Sequence, residues 1–165
     1  MAKNKNKSTN LILMIVSFVA AGLSFLGLAL NFVSRKTEGP YGTQTDWSLS
    51  NWFETIDNLK NYDKIGSWQT ARTMLIVAAI LLVVVAVLVI VNHFVKNPIV
   101  KWGTFGVAIA VVVCTAIFAI MTFVGCKALT DDVVLATYFA NIGAYFFTVG
   151  GLVAGACAAV VALRK

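Results

Sequence analysis

Residues 73–91 read TMLIVAAILLVVVAVLVIV, an unbroken stretch without a charged side chain. A helix needs about 20 apolar residues to cross the hydrocarbon core of a bilayer, which is roughly 30 Å thick. Together with its neighbours up to Val95, this stretch is therefore long enough to form one transmembrane helix.

Three further stretches have the same character. They run from Leu11 to Val33, from Ile99 to Val124 and from Val133 to Leu163, and apart from Lys101, near the start of the second of these, they contain no Asp, Glu, Lys or Arg. The whole chain is 59% hydrophobic and 12% charged, whereas soluble globular domains are about 25% charged. We therefore predict one domain, residues 1–165, that is an all-α integral membrane protein with a bundle of four transmembrane helices.

The first stretch could instead be a secretory signal. Such signals have basic residues before their apolar part, and here Lys3, Lys5 and Lys7 precede the stretch. The stretch is longer than the roughly 7–15 residues that are usual for such a signal. In addition, Leu28-Ala29-Leu30 is a poor cleavage site. We expect a transmembrane helix that is retained.

The charges predict how the chain is oriented. Seven basic residues and no acid lie in the N-terminal tail, between Lys96 and Lys101, and at Arg164-Lys165. All seven acidic residues lie in the first and third connections. Because Lys and Arg accumulate on the cytoplasmic side, we expect a multi-pass plasma-membrane protein with both termini in the cytoplasm. The net charge of +6 then indicates topology and attraction to the lipid bilayer, not nucleic-acid binding.

The first extracytoplasmic loop, about residues 34–72, is the largest connection. Apolar residues recur at helical spacing from Asn51 to Tyr62, and Asn51 with Glu54 resembles a capping box, so we predict a short amphipathic helix. Its apolar face could lie in the headgroup layer, cover the bundle or bind a partner protein. The candidate interaction residues are Trp47, Trp52, Phe53, Ile56 and Leu59.

Small and polar residues inside the spans predict how the helices pack, since close approach and hydrogen bonds drive helix association in lipid. The candidate packing residues are Ser17, Ser24, Gly27, Gly151 and Gly155. Asn31 and Asn141 should lie at similar depth, so we expect their side chains to approach each other or share a water. Alternatively, the two amides line a polar cavity with Tyr145 and Thr148.

Two further expectations concern the helices themselves. Thr130-Asp131-Asp132 resembles a helix start, with a cap and two acids at the positive end of the helix dipole, and we expect it to open the fourth helix. The second helix is nearly all Leu, Ile and Val from Leu75 to Val91. It is therefore expected to face lipid more than the others.

The sequence shows no pattern that indicates catalysis. His93 is the only histidine, and one imidazole without nearby Cys or carboxylate does not make a metal site. Cys114 and Cys126 on one helix would be about 18 Å apart, too far for a disulfide. We expect no enzymatic activity, no metal and no cofactor.

The layout of four spans, cytoplasmic ends and a larger first outer loop with tryptophans resembles that of claudin-like and related tetraspan proteins. The first loops of those families carry a paired-cysteine signature, and this chain has no cysteine between Ser34 and Arg72. The resemblance therefore concerns layout alone and does not imply adhesion or a paracellular pore. The missing loop cysteines and the Lys/Asn-rich start are compatible with a bacterial source.

Two functions remain open. The first is a non-catalytic membrane protein that acts by interaction through its first extracytoplasmic loop, as an accessory subunit, scaffold or envelope-associated module with a membrane or extracytoplasmic protein partner. The alternative is a small transporter, channel or lipid-binding component that works as a homo-oligomer.

Overall fold

The computed structural model describes residues 2–39, 42–46, 66–95, 97–132 and 136–164. Within them, four helices are long and apolar enough to cross a membrane. The prediction of a helical bundle with four membrane-spanning helices is confirmed to that extent. The amphipathic helix predicted between Asn51 and Tyr62 lies outside the described residues. The elements in chain order are α1 (Ala2–Leu28), β1 (Val33–Gly39), β2 (Gly42–Asp46), α2 (Gly66–Phe94), α3 (Pro98–Asp132), β3 (Ala136–Ala140) and α4 (Ile142–Leu163).

A three-stranded antiparallel sheet, which the all-α prediction did not include, lies at one end of the helices. The strand order is β2-β1-β3, so the strand that follows α1 lies between its neighbour in sequence and the strand that precedes α4. At the middle of β1, Arg35 pairs with Asp46 on one side and with Tyr138 on the other. The sheet thus joins the first and third connections. The end of the bundle that carries it is called the sheet end below.

The predicted limits of the first and fourth spans are wrong where they meet this sheet. Helix α1 ends at Leu28, and Val33 begins β1. In the described part of the fourth span, residues 136–140 form β3 and the helix begins at Ile142. Burial alternates along β3, as it does in a strand with one face on a core. The sequence ATYFA contains aromatic and β-branched residues, which favour strands.

The acidic pair at residues 131 and 132 ends α3 and does not open α4, so that expectation is also wrong. The hydroxyl of Thr130 donates to the carbonyl of Cys126 at 3.0 Å and accepts from the backbone N–H of Tyr138 at 2.9 Å. Thr130 therefore joins the end of α3 to β3. The residue that caps α4 is Asn141, whose side chain accepts from the N–H of Ile142.

Helices α1 and α4 pack with their backbones almost in contact. The buried hydroxyl of Ser17 donates to the Ala154 carbonyl at 3.0 Å, and that of Ser24 donates to the Phe147 carbonyl at 3.2 Å. A Cβ atom added at Gly27 would lie 2.8 Å from the Gly143 carbonyl oxygen. Only glycine permits this approach.

Helix α4 is the central helix, because it also packs closely on α3. A Cβ atom at Gly151 would lie 2.8 Å from Oγ1 of Thr115, and one at Gly155 would lie 2.9 Å from the Ala108 carbonyl oxygen. In its most apolar segment, 50% of the residues are buried, against 28% in each of the other three helices. The expectation that α2 faces lipid more than all others is therefore wrong, since α1 and α3 match it.

The packing of α1 on α4 leads to a prediction with a control on the same helix. Gly27→Ala should destabilise the protein by about 1–3 kcal/mol, because the methyl group meets backbone atoms that cannot turn aside. Gly22→Ala should be neutral or stabilising by up to about 1 kcal/mol, since nothing lies within 4 Å of a Cβ atom there. Unfolding in detergent micelles measures both changes. Equal effects would contradict the close contact at Gly27.

Candidate interaction surface at the sheet end

The two faces of the sheet differ in burial. Val33, Tyr138 and Ala140 share one face, with exposed fractions of 8% or less, and they belong to the hydrophobic core. Lys36 and Thr137 are cross-strand partners on the opposite face, and both are exposed. Phe139 lies on that face with them and is 37% exposed. One face thus packs on the bundle, while the other is buried at Ser34 and exposed at Lys36, Thr137 and Phe139.

Asn141 fixes the sheet to the helices. Its backbone N–H donates to the Phe32 carbonyl at 2.7 Å, which continues the pairing of β1 with β3. Its side-chain amide donates to the buried hydroxyl of Ser34, and its side-chain oxygen accepts from the first amide of α4. One residue therefore ends β3, holds the start of β1 and caps α4. A helix cap alone is typically worth about 1 kcal/mol.

Thr130 satisfies backbone groups on the far edge of β3. Along an antiparallel pair of strands, every second residue forms backbone hydrogen bonds with the partner strand. Asn141 forms such a bond with Phe32, and Tyr138 lies three residues earlier. The backbone N–H and carbonyl of Tyr138 therefore point away from β1. The Thr130 hydroxyl lies at this edge, 2.9 Å from that nitrogen and 3.4 Å from that oxygen. A polar contact from α3 thus takes the place of a further strand at this point.

An aromatic cluster lies at the junction between the sheet and the bundle. Phe32, which precedes β1, makes an edge contact with Phe118 of α3 at a centroid distance of 6.1 Å. Phe118 makes a second edge contact with Phe147 of α4 at 5.2 Å. All three side chains are fully buried. The start of the sheet is therefore packed on α3 and α4 as well as joined covalently to α1.

The loop that carries the candidate interaction residues is fixed at both ends. It leaves the sheet at Asp46, the last residue of β2, and enters α2 at Gly66. Trp68, in the first turn of α2, is 2% exposed and packs against α3, where a Cβ atom at Gly125 would lie 2.6 Å from its ring. The candidate residues themselves, Trp47, Trp52, Phe53, Ile56 and Leu59, lie outside the described residues.

The surroundings of the two predicted intramembrane asparagines can be compared with one small pocket nearby. The Asn31 carbonyl accepts from the Gly143 N–H at 3.0 Å, so the asparagines are neighbours through the backbone. The predicted contact between their side chains stays a prediction. A pocket of about 30 Å³, room for one or two waters, lies between α3 and α4. Its lining residues are Ala119, Thr122, Phe123, Ala140, Ala144, Tyr145 and Thr148, and neither asparagine is among them.

The remaining chemically distinctive side chains are dispersed. Cys126 is buried, Cys114 and Cys157 are half-buried, and all three are free thiols. His93, at the end of α2, makes an edge contact with the ring of Phe94. Among the described residues, no group of three His, Cys, Asp or Glu side chains could hold a metal ion.

Several residues that organise the sheet end were missed by reasoning from the sequence. Ser34 and Trp68 were treated as parts of the first connection and Thr130 as the cap of the fourth helix, although each makes a contact between elements. One signal was available, because the apolar run from Val133 to Leu163 is much longer than the roughly 20 residues that a bilayer needs. The excess is the part that pairs with β1.

Neither models of known protein families nor curated proteins match this chain. The geometry of the sheet end and the distribution of apolar and charged residues therefore carry the functional proposal.

Proposed function

We propose that this chain is a non-catalytic, multi-pass membrane protein that acts by interaction, as an accessory subunit, scaffold or envelope-associated module. Its docking surface is the first loop, residues 47–65, on the sheet end. The observation that carries the proposal is that both ends of this loop are held: β2 is paired in the sheet, and Trp68 is packed on Gly125. A loop that is held at both ends loses less conformational entropy when it binds a partner.

The composition of the loop supports the same proposal. It contains Trp47, Trp52 and Phe53, and Trp and Phe are enriched at the centres of protein interfaces. The exposed face of the adjoining sheet contributes Phe139 beside polar Thr137 and Lys36. An apolar centre with a polar surround is the usual composition of a docking surface.

We also propose an orientation in which the sheet end faces out of the cytoplasm of a bacterial plasma membrane. Support comes from the charges, since all seven acids belong to the first and third connections of the sequence, whereas the two tails and the second connection contain seven bases and no acid. In a variant without native cysteines, Lys36→Cys should react with an impermeant maleimide in intact cells, whereas Lys3→Cys should react only after permeabilisation. The reverse pattern would overturn the orientation.

The docking surface is tested by purification from the native membrane in gentle detergent, with mass spectrometry of the proteins that remain bound. The double variant Trp52→Ala/Phe53→Ala should lose a stoichiometric partner, because the two largest apolar anchors are removed. The matched control is Phe94→Ala/Trp102→Ala, which removes the same two residue types at the opposite end. These two side chains are 79% and 61% exposed.

Two results would contradict the proposal. Loss of the partner from both double variants would show that the loop is not the docking surface. Recovery of a chain associated only with itself would favour the alternative of an oligomeric transporter, channel or lipid-binding component. Flux across liposomes that contain the purified protein would then distinguish a pore from a carrier.

A further inference from the structure

The pocket between α3 and α4 lies on the sheet side of the closest contact between these two helices. At that contact, a Cβ atom added to Gly151 would lie 2.8 Å from Oγ1 of Thr115. One turn closer to the sheet, the buried rings of Phe118 and Phe147 lie between the helices, with their centroids 5.2 Å apart. Beyond these rings the lining side chains are mostly small, and a space of about 30 Å³ remains. We call this pocket the α3–α4 cleft.

The α3–α4 cleft opens onto the lipid-facing surface of the bundle. Phe123 of α3 and Tyr145 of α4 both line it, with side chains that are 51% and 49% exposed. Their rings are in contact at a centroid distance of 6.2 Å. One turn farther along α4, Val149 is also exposed. Because α3 and α4 are long and apolar enough to cross a membrane, this surface is the interface with the bilayer, and the cleft is continuous with it.

The depth of the cleft follows from its position along α4. This helix has 22 residues, so it is about 33 Å long and matches the roughly 30 Å of a hydrocarbon core. Counted from the middle of α4, Thr148 lies about 7 Å and Tyr145 about 11 Å toward the sheet end. Side chains on a helix lean toward its N-terminus, which places the Tyr145 hydroxyl farther out. The cleft is therefore at the depth of acyl chains, and this hydroxyl is near the depth of their ester groups.

The lining of the cleft suits an alkyl chain better than water. Three of its residues are the alanines Ala119, Ala140 and Ala144. The hydroxyl of Thr122 already donates to the Phe118 carbonyl at 2.8 Å. Apolar cavities stay dry, and about 30 Å³ is room for one or two groups of the size of a water. One or two methylene groups of a lipid chain fill the same space.

We propose that the α3–α4 cleft binds one acyl chain of a phospholipid in the leaflet at the sheet end, and that the Tyr145 hydroxyl donates a hydrogen bond to the ester carbonyl of that chain. This hydroxyl makes no hydrogen bond within the part of the chain that the structure describes. Tyrosine also favours the boundary between the hydrocarbon core and the headgroups. The site is independent of the loop and of the proposed function.

The test is photo-crosslinking of the purified full-length protein in maltoside detergent. The probe is one equivalent of a phosphatidylcholine with a diazirine in the middle of one acyl chain, and the adducts are located by mass spectrometry of peptides. We expect one lipid per chain, attached within residues 119–123 or 144–148. Ala119→Leu fills the cleft and should abolish these adducts. The matched control is Ala110→Leu, at another half-buried position of α3 outside the cleft, which should preserve them.

The hydrogen bond has a separate test in the same experiment. Tyr145→Phe keeps the ring at the mouth of the cleft and removes only the hydroxyl. The loss of one hydrogen bond should lower the adduct yield by about twofold to tenfold. A yield equal to that of the unchanged protein would overturn the role of Tyr145.

Three results would overturn the site itself. Adducts spread evenly over the exposed residues of all four helices would show boundary lipid and no site. Unchanged adducts in Ala119→Leu would show that the chain does not enter the cleft. Displacement of the probe by an equal concentration of oleic acid would assign the cleft to a free fatty acid. If Ala119→Leu does not fold, Thr148→Leu fills the cleft from α4 and is compared with Ala156→Leu, at an exposed position of the same helix outside the cleft.

Discussion

The contact of α1 with α4 at Gly27 and Gly143 is the constraint on which the rest of the structure depends. Apolar burial gives little advantage to helix contacts in lipid, because lipid tails are as apolar as the side chains. Close approach of the two backbones is therefore the main source of stability for this contact. The backbones are so close that neither Gly27 nor Gly143 has room for a Cβ atom. Ser17 and Ser24 add hydrogen bonds along the same contact. The stagger of the two helices is thereby fixed.

That stagger also determines where the sheet forms. Gly27 is near the end of α1 and Gly143 is near the start of α4, so the chain leaves one helix beside the place where it enters the other. Strands β1 and β3 are therefore brought together without a long connection between them. Asn141 fixes the pairing with its hydrogen bonds. The aromatic cluster of Phe32, Phe118 and Phe147 packs the start of the sheet on α3 and α4.

Much of the helical architecture was predictable from the sequence, and the sheet was not. Four spans follow from apolar length alone. A helix start is also typical of Asn97-Pro98, and Asn97 accepts from the Ile99 N–H at the start of α3. The strand β3 is apolar and continuous with α4 in sequence, so composition does not distinguish it from more helix. Its partner β1 is far earlier in the chain, and no local pattern encodes that pairing.

The candidate sites were predictable to different degrees. The loop aromatics stand out by residue type, whereas the sheet to which the loop is joined depends on Thr130, Ser34 and Asn141, whose roles arise only from tertiary contacts. The basic residues were visible as a topology signal.

The pairing of β1 with β3 is the central claim, and a cross-strand disulfide tests it most directly. In a variant whose three native cysteines are replaced by alanine, Lys36→Cys and Thr137→Cys lie opposite each other on the exposed face of the sheet. Mild oxidation in native membranes should then join them within one chain, detected by a cross-linked peptide that contains both positions. Failure of the pair to form, while either cysteine alone remains reactive to maleimide, would contradict the sheet and the fixed loop that depends on it.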